Sequence, residues 1–126
     1  MKLGLIPGAG GTQRLPGVIG PGWANYLLFT GEAIPAKKAL EIGLVQEVVG
    51  YEFLRDKALE IAGKINRNGT LAVRAAKRVS FKGLQVSLEK GLDIENEAFA
   101  ELCGTEDKNE GVRAFLEKRK AQFRGR

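Results

Sequence analysis

Seventeen glycines in a chain of 126 residues set the first limit on its fold. At ~13% this is about twice average usage. Apolar periodicity persists between the glycines, so they read as turns and helix stops rather than as disorder. Residues 3–6 form a brief apolar run that ends in Pro7-Gly8. Residues 10–19 suit a short helix, with Thr12 and Gln13 in its first turn, and Gly20-Pro21-Gly22 breaks it. A second short helix over 23–30 is stopped by Gly31.

The same punctuation continues. Pro35 suits a first helical position, Ala36, Ala39 and Leu40 supply an apolar stripe, and Gly43 ends that helix. Residues 44–49 are strand-like in β-branched content. Phe53, Leu54, Ala58, Leu59, Ile61, Ala62 and Ile65 recur at helical spacing over 51–66, and Asn68-Gly69 marks a turn. A helix resumes near Thr70, and Gly83 is the candidate point of interruption. Leu84, Leu88, Leu92, Phe99 and Leu102 then share one face of a long helix. Gly104-Thr105 is a break with an N-cap residue, and residues 111–120 form a final helix. The spacing predicts a mostly α chain with one or two short strands, at 3–6 and 44–49. The first of these has no partner in the sequence, and an unpaired strand must find one.

Composition narrows the chemistry. With no histidine, the Ser-His-Asp and Cys-His nucleophile designs, His-based zinc sites and a histidine general base are all excluded. No metal site is expected. The single cysteine, Cys103, forms no internal disulfide and is expected to be a small buried hydrophobe. Carboxylates, lysines and backbone amides remain. The longest apolar runs are far short of a membrane span, and a cytoplasmic location is expected, or the mitochondrial matrix in a eukaryotic cell. Residues 113–126 carry six bases against Glu117, which accounts for the whole formal net charge of +5. Such a cluster suits an anionic partner or a solvated tail.

The segment LGLIPGAGGTQRLPG (residues 3–17) looks at first like a phosphate cradle. A P-loop requires a lysine after its glycines, and Thr12-Gln13-Arg14 supplies none. A dinucleotide fingerprint counted from Gly8 and Gly10 places Gln13 where the third glycine belongs. What remains is a glycine turn into a helix N-terminus. Backbone amides there are open to an oxyanion, a water or a carbonyl, and a tight structural turn accounts for the same residues.

The segments LGLIPGAGGTQRLP, LLFTGEAIPAKKALEIGLVQEVV, LAVRAAK and EGVRAFLEKRKAQF occur in the same order in one family. The chain resembles the C-terminal portion of the crotonase superfamily, the enoyl-CoA hydratases and isomerases, along essentially its whole length. The resemblance implies an α/β crotonase-like fold of which this segment is the mostly helical part. Residues 1–50 would end the catalytic core, and residues 51–126 would form a helical trimerisation region. It implies acyl-CoA thioester substrates, with coenzyme A as part of the substrate and no other cofactor. It gives Gly8 a backbone amide that helps place the attacking water, Phe99 and Phe115 positions near the acyl chain or pantetheine, and Lys118 contact with the coenzyme A phosphates.

One departure stands out. In family hydratases one catalytic glutamate directly precedes this segment, and the other glutamate and the oxyanion-hole amides lie further upstream. The chain alone is therefore expected to lack the reacting groups and to need an N-terminal half. Hydration of a 2-trans-enoyl-CoA is the expected activity. The alternatives are an enoyl-CoA isomerase, or a non-catalytic oligomerisation and coenzyme-A-binding module. Homo-oligomers (a trimer or a dimer of trimers) are implied; no membrane partner is expected. Nucleic acid is not expected either, since the tail interleaves no aromatic beyond Phe123.

Overall fold

The computed structural model describes residues 3–126, which are mostly helical and contain no strand. The chain forms two compact units, one running to Leu54 and the other spanning Arg55–Arg126.

In the first unit, helix α1 spans Gly11–Thr30 and is broken at Gly20, whose φ of 76° and ψ of 159° are not helical. Pro21 follows, so the second half of α1 starts on a residue with no N–H to satisfy. Gly31 then closes the helix in the left-handed conformation at φ 62°. Both the break and the stop fall where the glycines place them. Helix α2, Ala36–Glu41, follows an extended Pro35 that serves as its N-cap, one position ahead of the expected one. At its other end Gly43 is left-handed at φ 77°. The Gly43 amide donates to the Leu40 carbonyl at 3.1 Å, and the Leu44 amide donates to Ala39 at 2.8 Å. This reciprocal pair is a Schellman closure, which satisfies carbonyls that the helix end would otherwise leave open. Trp23 meets Tyr26 edge-on at 5.6 Å, and the Lys38 ammonium lies 4.2 Å from the Trp23 ring centroid.

The expected strands do not form. Residues 3–6 are a turn, a bend and irregular chain, with Leu3, Leu5 and Ile6 exposed. In residues 44–49 the Leu44 and Val45 amides are spent on closing α2, and no ladder follows. The β-branched content is present, but a strand is defined by its pairing, and no described residue offers an edge.

A 3₁₀ turn at Tyr51–Phe53 leads into α3, Leu54–Asn66. In the second unit follow α4 (Thr70–Gly83), α5 (Leu88–Cys103) and α6 (Glu106–Leu116). Helices α4 and α5 form an antiparallel pair. A Cβ added at Gly91 would lie 3.6 Å from the Gly83 Cα, so glycines admit the close approach near their joint. Farther along, Arg78 and Glu101 bridge the pair at 2.6 Å. Helix α5 begins at Leu88, capped by the Ser87 hydroxyl, and Leu84 is the C-cap of α4. The long helix expected from Leu84 is therefore interrupted by a capped joint. Helix α6 begins five residues before the expected 111. Thr105 caps it, and Glu106 and Asp107 in the first turn complement the helix dipole.

The core is thin. Only Ile19, Ala24, Ala39, Ala98 and Ala114 are buried apolar residues among those described. The accessible surface is 10229 Å², where a folded monomer of 13.7 kDa would expose roughly 6,600 Å². Leu84, Leu88, Leu92 and Phe99, expected on one apolar face, are all exposed, and so is Cys103, contrary to its expected burial. The groups that would cover them are not among the described residues, so these side chains face outward although their pattern is that of a packed face.

With so little burial, local closures weigh heavily. Thr105 Oγ1 accepts from the Lys108 amide at 3.1 Å and donates to the Leu102 carbonyl at 2.8 Å, joining the end of α5 to the start of α6. Thr105→Ala is expected to destabilise the second unit by about 1 kcal/mol, and Thr105→Ser to recover most of it. Urea midpoints followed by helicity measure this, and equal midpoints for the two variants would contradict it.

Candidate functional site

The glycine turn is built by backbone conformation. Gly10 caps α1 in the left-handed region at φ 87° and ψ 13°, which side-chain-bearing residues seldom adopt. Its carbonyl accepts from the Gln13 and Arg14 amides, and the Arg14 guanidinium folds back to donate to the Ala9 carbonyl at 2.5 Å. Pro7 packs on Gly11, where an added Cβ would fall 2.9 Å from the Pro7 Cβ. Gly8 differs from these neighbours. A Cβ there would meet nothing within 4 Å, and its amide donates to no described residue. The turn therefore presents open backbone donors ahead of a helix N-terminus, and at Gly8 no neighbouring side chain crowds the approach.

The other three predicted site residues lie in the second unit. Phe99 lines an apolar pocket of about 450 Å³ together with Leu71, Ala72, Leu102, Val112 and Phe123. Cys103 also borders it. Phe115 is 82% exposed and outside that pocket. Lys118 is the one non-glycine residue with positive φ among those described, at 53°. Its amide donates to the Phe115 carbonyl at 3.2 Å, and the Arg119 amide donates to Ala114 at 3.0 Å. This repeats the α2 closure, with a lysine where α2 has Gly43. A Cβ in this conformation costs roughly 1 kcal/mol. The final helix thus ends at Leu116, short of the expected 120, because the chain turns left-handed at Lys118.

Sequence reasoning treated the basic tail as a charge cluster and missed what anchors it. Asp107 is buried; its carboxylate accepts from the Arg124 amide at 2.6 Å and the Gly125 amide at 2.9 Å. Its own amide donates to the Arg126 carbonyl at 2.9 Å. Phe123 lies against Gly69 and Gly111, where added Cβ atoms would each sit 3.4 Å from its ring. Arg119 grips Glu110 with two nitrogens, at 2.6 and 2.9 Å, and Glu117 with its Nε at 2.6 Å. Arg126 pairs with Glu106 at 3.0 Å. Two of the six terminal bases are thus neutralised within the fold. The only signal for this docking was Phe123 itself, the lone aromatic after the final helix.

The Enoyl-CoA hydratase/isomerase profile matches residues 1–126. The chain belongs to the enoyl-CoA hydratase/isomerase family. It is 48% identical over 121 residues to a crotonyl-CoA hydratase of Syntrophomonas wolfei, covering 96% of this chain and 46% of that protein. It is 42% identical over 126 residues to a 2,3-dehydroadipyl-CoA hydratase of Escherichia coli, covering 100% of this chain and 49% of that one. Among solved structures, an enoyl-CoA hydratase from Bacillus anthracis aligns with a TM-score of 0.95 and 49% identity, covering 99% of this chain and 48% of its own. The chain spans about half the length of the curated relatives it matches. Its described helices are the helical part of a crotonase fold, as the sequence resemblance implies.

Two anchors of this family member's tail can be tested. Asp107→Asn replaces one acceptor by an NH₂ facing an amide, which is expected to cost about 2 kcal/mol and to release the Arg124 and Gly125 amides to hydrogen exchange. Unchanged protection would contradict the anchor. Glu110 is held at about 2, below the ordinary 4.5, chiefly by the Arg119 guanidinium and then by the Gln122 amide. The fold therefore favours the carboxylate. The stabilisation is fully present above pH 4.5 and is lost as pH falls through about 2. Carboxyl-carbon NMR should place the Glu110 midpoint near 2, and Arg119→Gln should return it towards 4.5.

Proposed function

We propose that this chain supplies the water-side turn and part of the coenzyme A contact surface of an enoyl-CoA hydratase. The observation that carries the reading is the Gly8 amide, exposed just ahead of a helix start, with no acceptor among the described residues and open space where a Cβ would stand. Conjugation with the thioester makes the β-carbon of a 2-trans-enoyl-CoA electrophilic. Addition requires a water held against that carbon, a base to take its proton, an acid to protonate the α-carbon, and donors on the thioester oxygen. Gly8 would hold the water by donating to its oxygen, leaving the lone pairs opposite free for attack. Phe99 and Phe115 would pack along the acyl chain or pantetheine, and Lys118 would meet a coenzyme A phosphate.

The reading takes neither Glu32 nor Glu41 as the acid or the base. Glu32 accepts from the Tyr26 hydroxyl at 2.9 Å, and Glu41 pairs with Lys38 at 3.3 Å. The reacting carboxylates and oxyanion donors would come from an N-terminal half of the kind the relatives possess. Residues 1–50 would complete that core and residues 51–126 would build a trimer or a dimer of trimers. The large exposed apolar area supports both contacts. Coenzyme A enters as part of the substrate, with no separate cofactor. No described helix is long and apolar enough to cross a membrane. The reading puts the protein in the cytoplasm or, in a eukaryote, in the mitochondrial matrix; hydratase relatives of Arabidopsis thaliana and Homo sapiens are named as mitochondrial.

The test joins this chain to the N-terminal half of the Syntrophomonas wolfei relative, as a mixture and as a single-chain fusion, and follows loss of the conjugated thioester. Hydration of crotonyl-CoA is expected in the fusion. Gly8→Ala should leave the fold and its melting midpoint unchanged, since the chain leaves room for the methyl group. It should lower kcat about 10²-fold by displacing the water. A fusion inactive on every enoyl-CoA, or a fully active Gly8→Ala, would sink the reading.

A further inference from the structure

The two Schellman closures provide an internal comparison. Each ends a helix with the same pair of hydrogen bonds, yet one places Gly43 and the other Lys118 in the left-handed position. Glycine enters that conformation freely, while a lysine must be held there. The surroundings of Lys118 do so from both sides. Arg119, the next residue, extends three guanidinium contacts, to Glu117 before the turn and to both oxygens of Glu110 one helical stretch away. Its Nη1 also donates to the Lys120 carbonyl at 3.2 Å. Glu110 Oε1 further accepts from the Gln122 amide at 2.9 Å. Residues 117, 119 and 122 and the Lys120 carbonyl are fastened to one fork, while the Lys118 side chain is exposed and takes no part in it.

We infer that Arg119, braced by Glu110 and Glu117, is a positioning residue that locks Lys118 in the left-handed turn and so presents its ammonium outward for an anionic ligand. The inference rests on the proposed role of Lys118 at a coenzyme A phosphate and assigns the residues that make that role possible. A bidentate fork suits the task, because it fixes an orientation as well as a charge, which a lysine in its place would not. The depressed ionisation of Glu110 agrees, since the carboxylate stays charged at any pH where an acyl-CoA ligand is handled.

Two measurements on the whole chain separate the possibilities. The first is NMR of the tail, through the backbone coupling at residue 118 and hydrogen exchange of residues 119–122. Arg119→Met and Arg119→Lys are both expected to move Lys118 out of the left-handed region and to raise exchange about tenfold or more. Adding Lys118→Gly to Arg119→Met should restore protection, because glycine needs no brace. If the double variant exchanges as fast as Arg119→Met, Arg119 merely docks the tail and the inference falls. It falls equally if Arg119→Lys behaves as the parent.

The second measurement is titration with coenzyme A itself. Lys118→Met and Arg119→Met should each weaken binding by about tenfold, and together by little more, since one acts through the other. Additive losses would make Arg119 an independent ligand and overturn the positioning role. No binding by the parent chain, or no loss in Lys118→Met, would instead remove the proposed role of Lys118, while the NMR result still decides whether Arg119 braces the turn.

Discussion

Burial is the scarce quantity in this structure, and most of its features follow from that scarcity. Five small or medium apolar side chains are buried among the described residues, while two dozen large ones remain in contact with solvent. At roughly 25 cal/mol for each Å² removed from water, such a core contributes little against the entropy of ordering the chain. Order is then carried by closures that need no core. Left-handed glycines end helices, hydroxyls cap them, and a buried carboxylate ties the tail to the start of α6. The wide apolar faces are patterned for contacts that other surfaces would supply.

How much of this was legible in the sequence depended on the range of the interaction. Gly20, Gly31, Ser87 and Thr105 act within a turn of themselves, and the first two with Thr105 could be read where they stand. Residues 44–49 were misread for the opposite reason. Valine and leucine content signals a strand, yet the ladder needs a partner, and the first two amides were already committed to α2. The start of α6 was hidden because the run from Glu106 to Glu110 is polar and shows no apolar period. A capped first turn rich in acids was the better signal there.

The candidate site divides in the same way. The glycine turn was legible as a turn, with a left-handed Gly10 before the helix and open space at Gly8. The roles of Phe99, Phe115 and Lys118 came from resemblance alone. The structure brings Phe115 and Lys118 into one helix end and Phe99 into a separate pocket. Asp107 was invisible because its partners lie 17 and 18 residues away along the chain. No local pattern marks a carboxylate that waits for two distant amides.

The seat of Phe123 carries a consequence for how these helices can vary. Two glycines 42 positions apart face the same ring at the same distance, and a methyl group at either would already touch it. Positions 69, 111 and 123 therefore form one volume shared three ways. A larger side chain at either glycine that points at the ring would compete with Phe123 for that volume. Bulky substitutions at the three sites should accordingly be accepted as sets, because each bears on where the last residues dock.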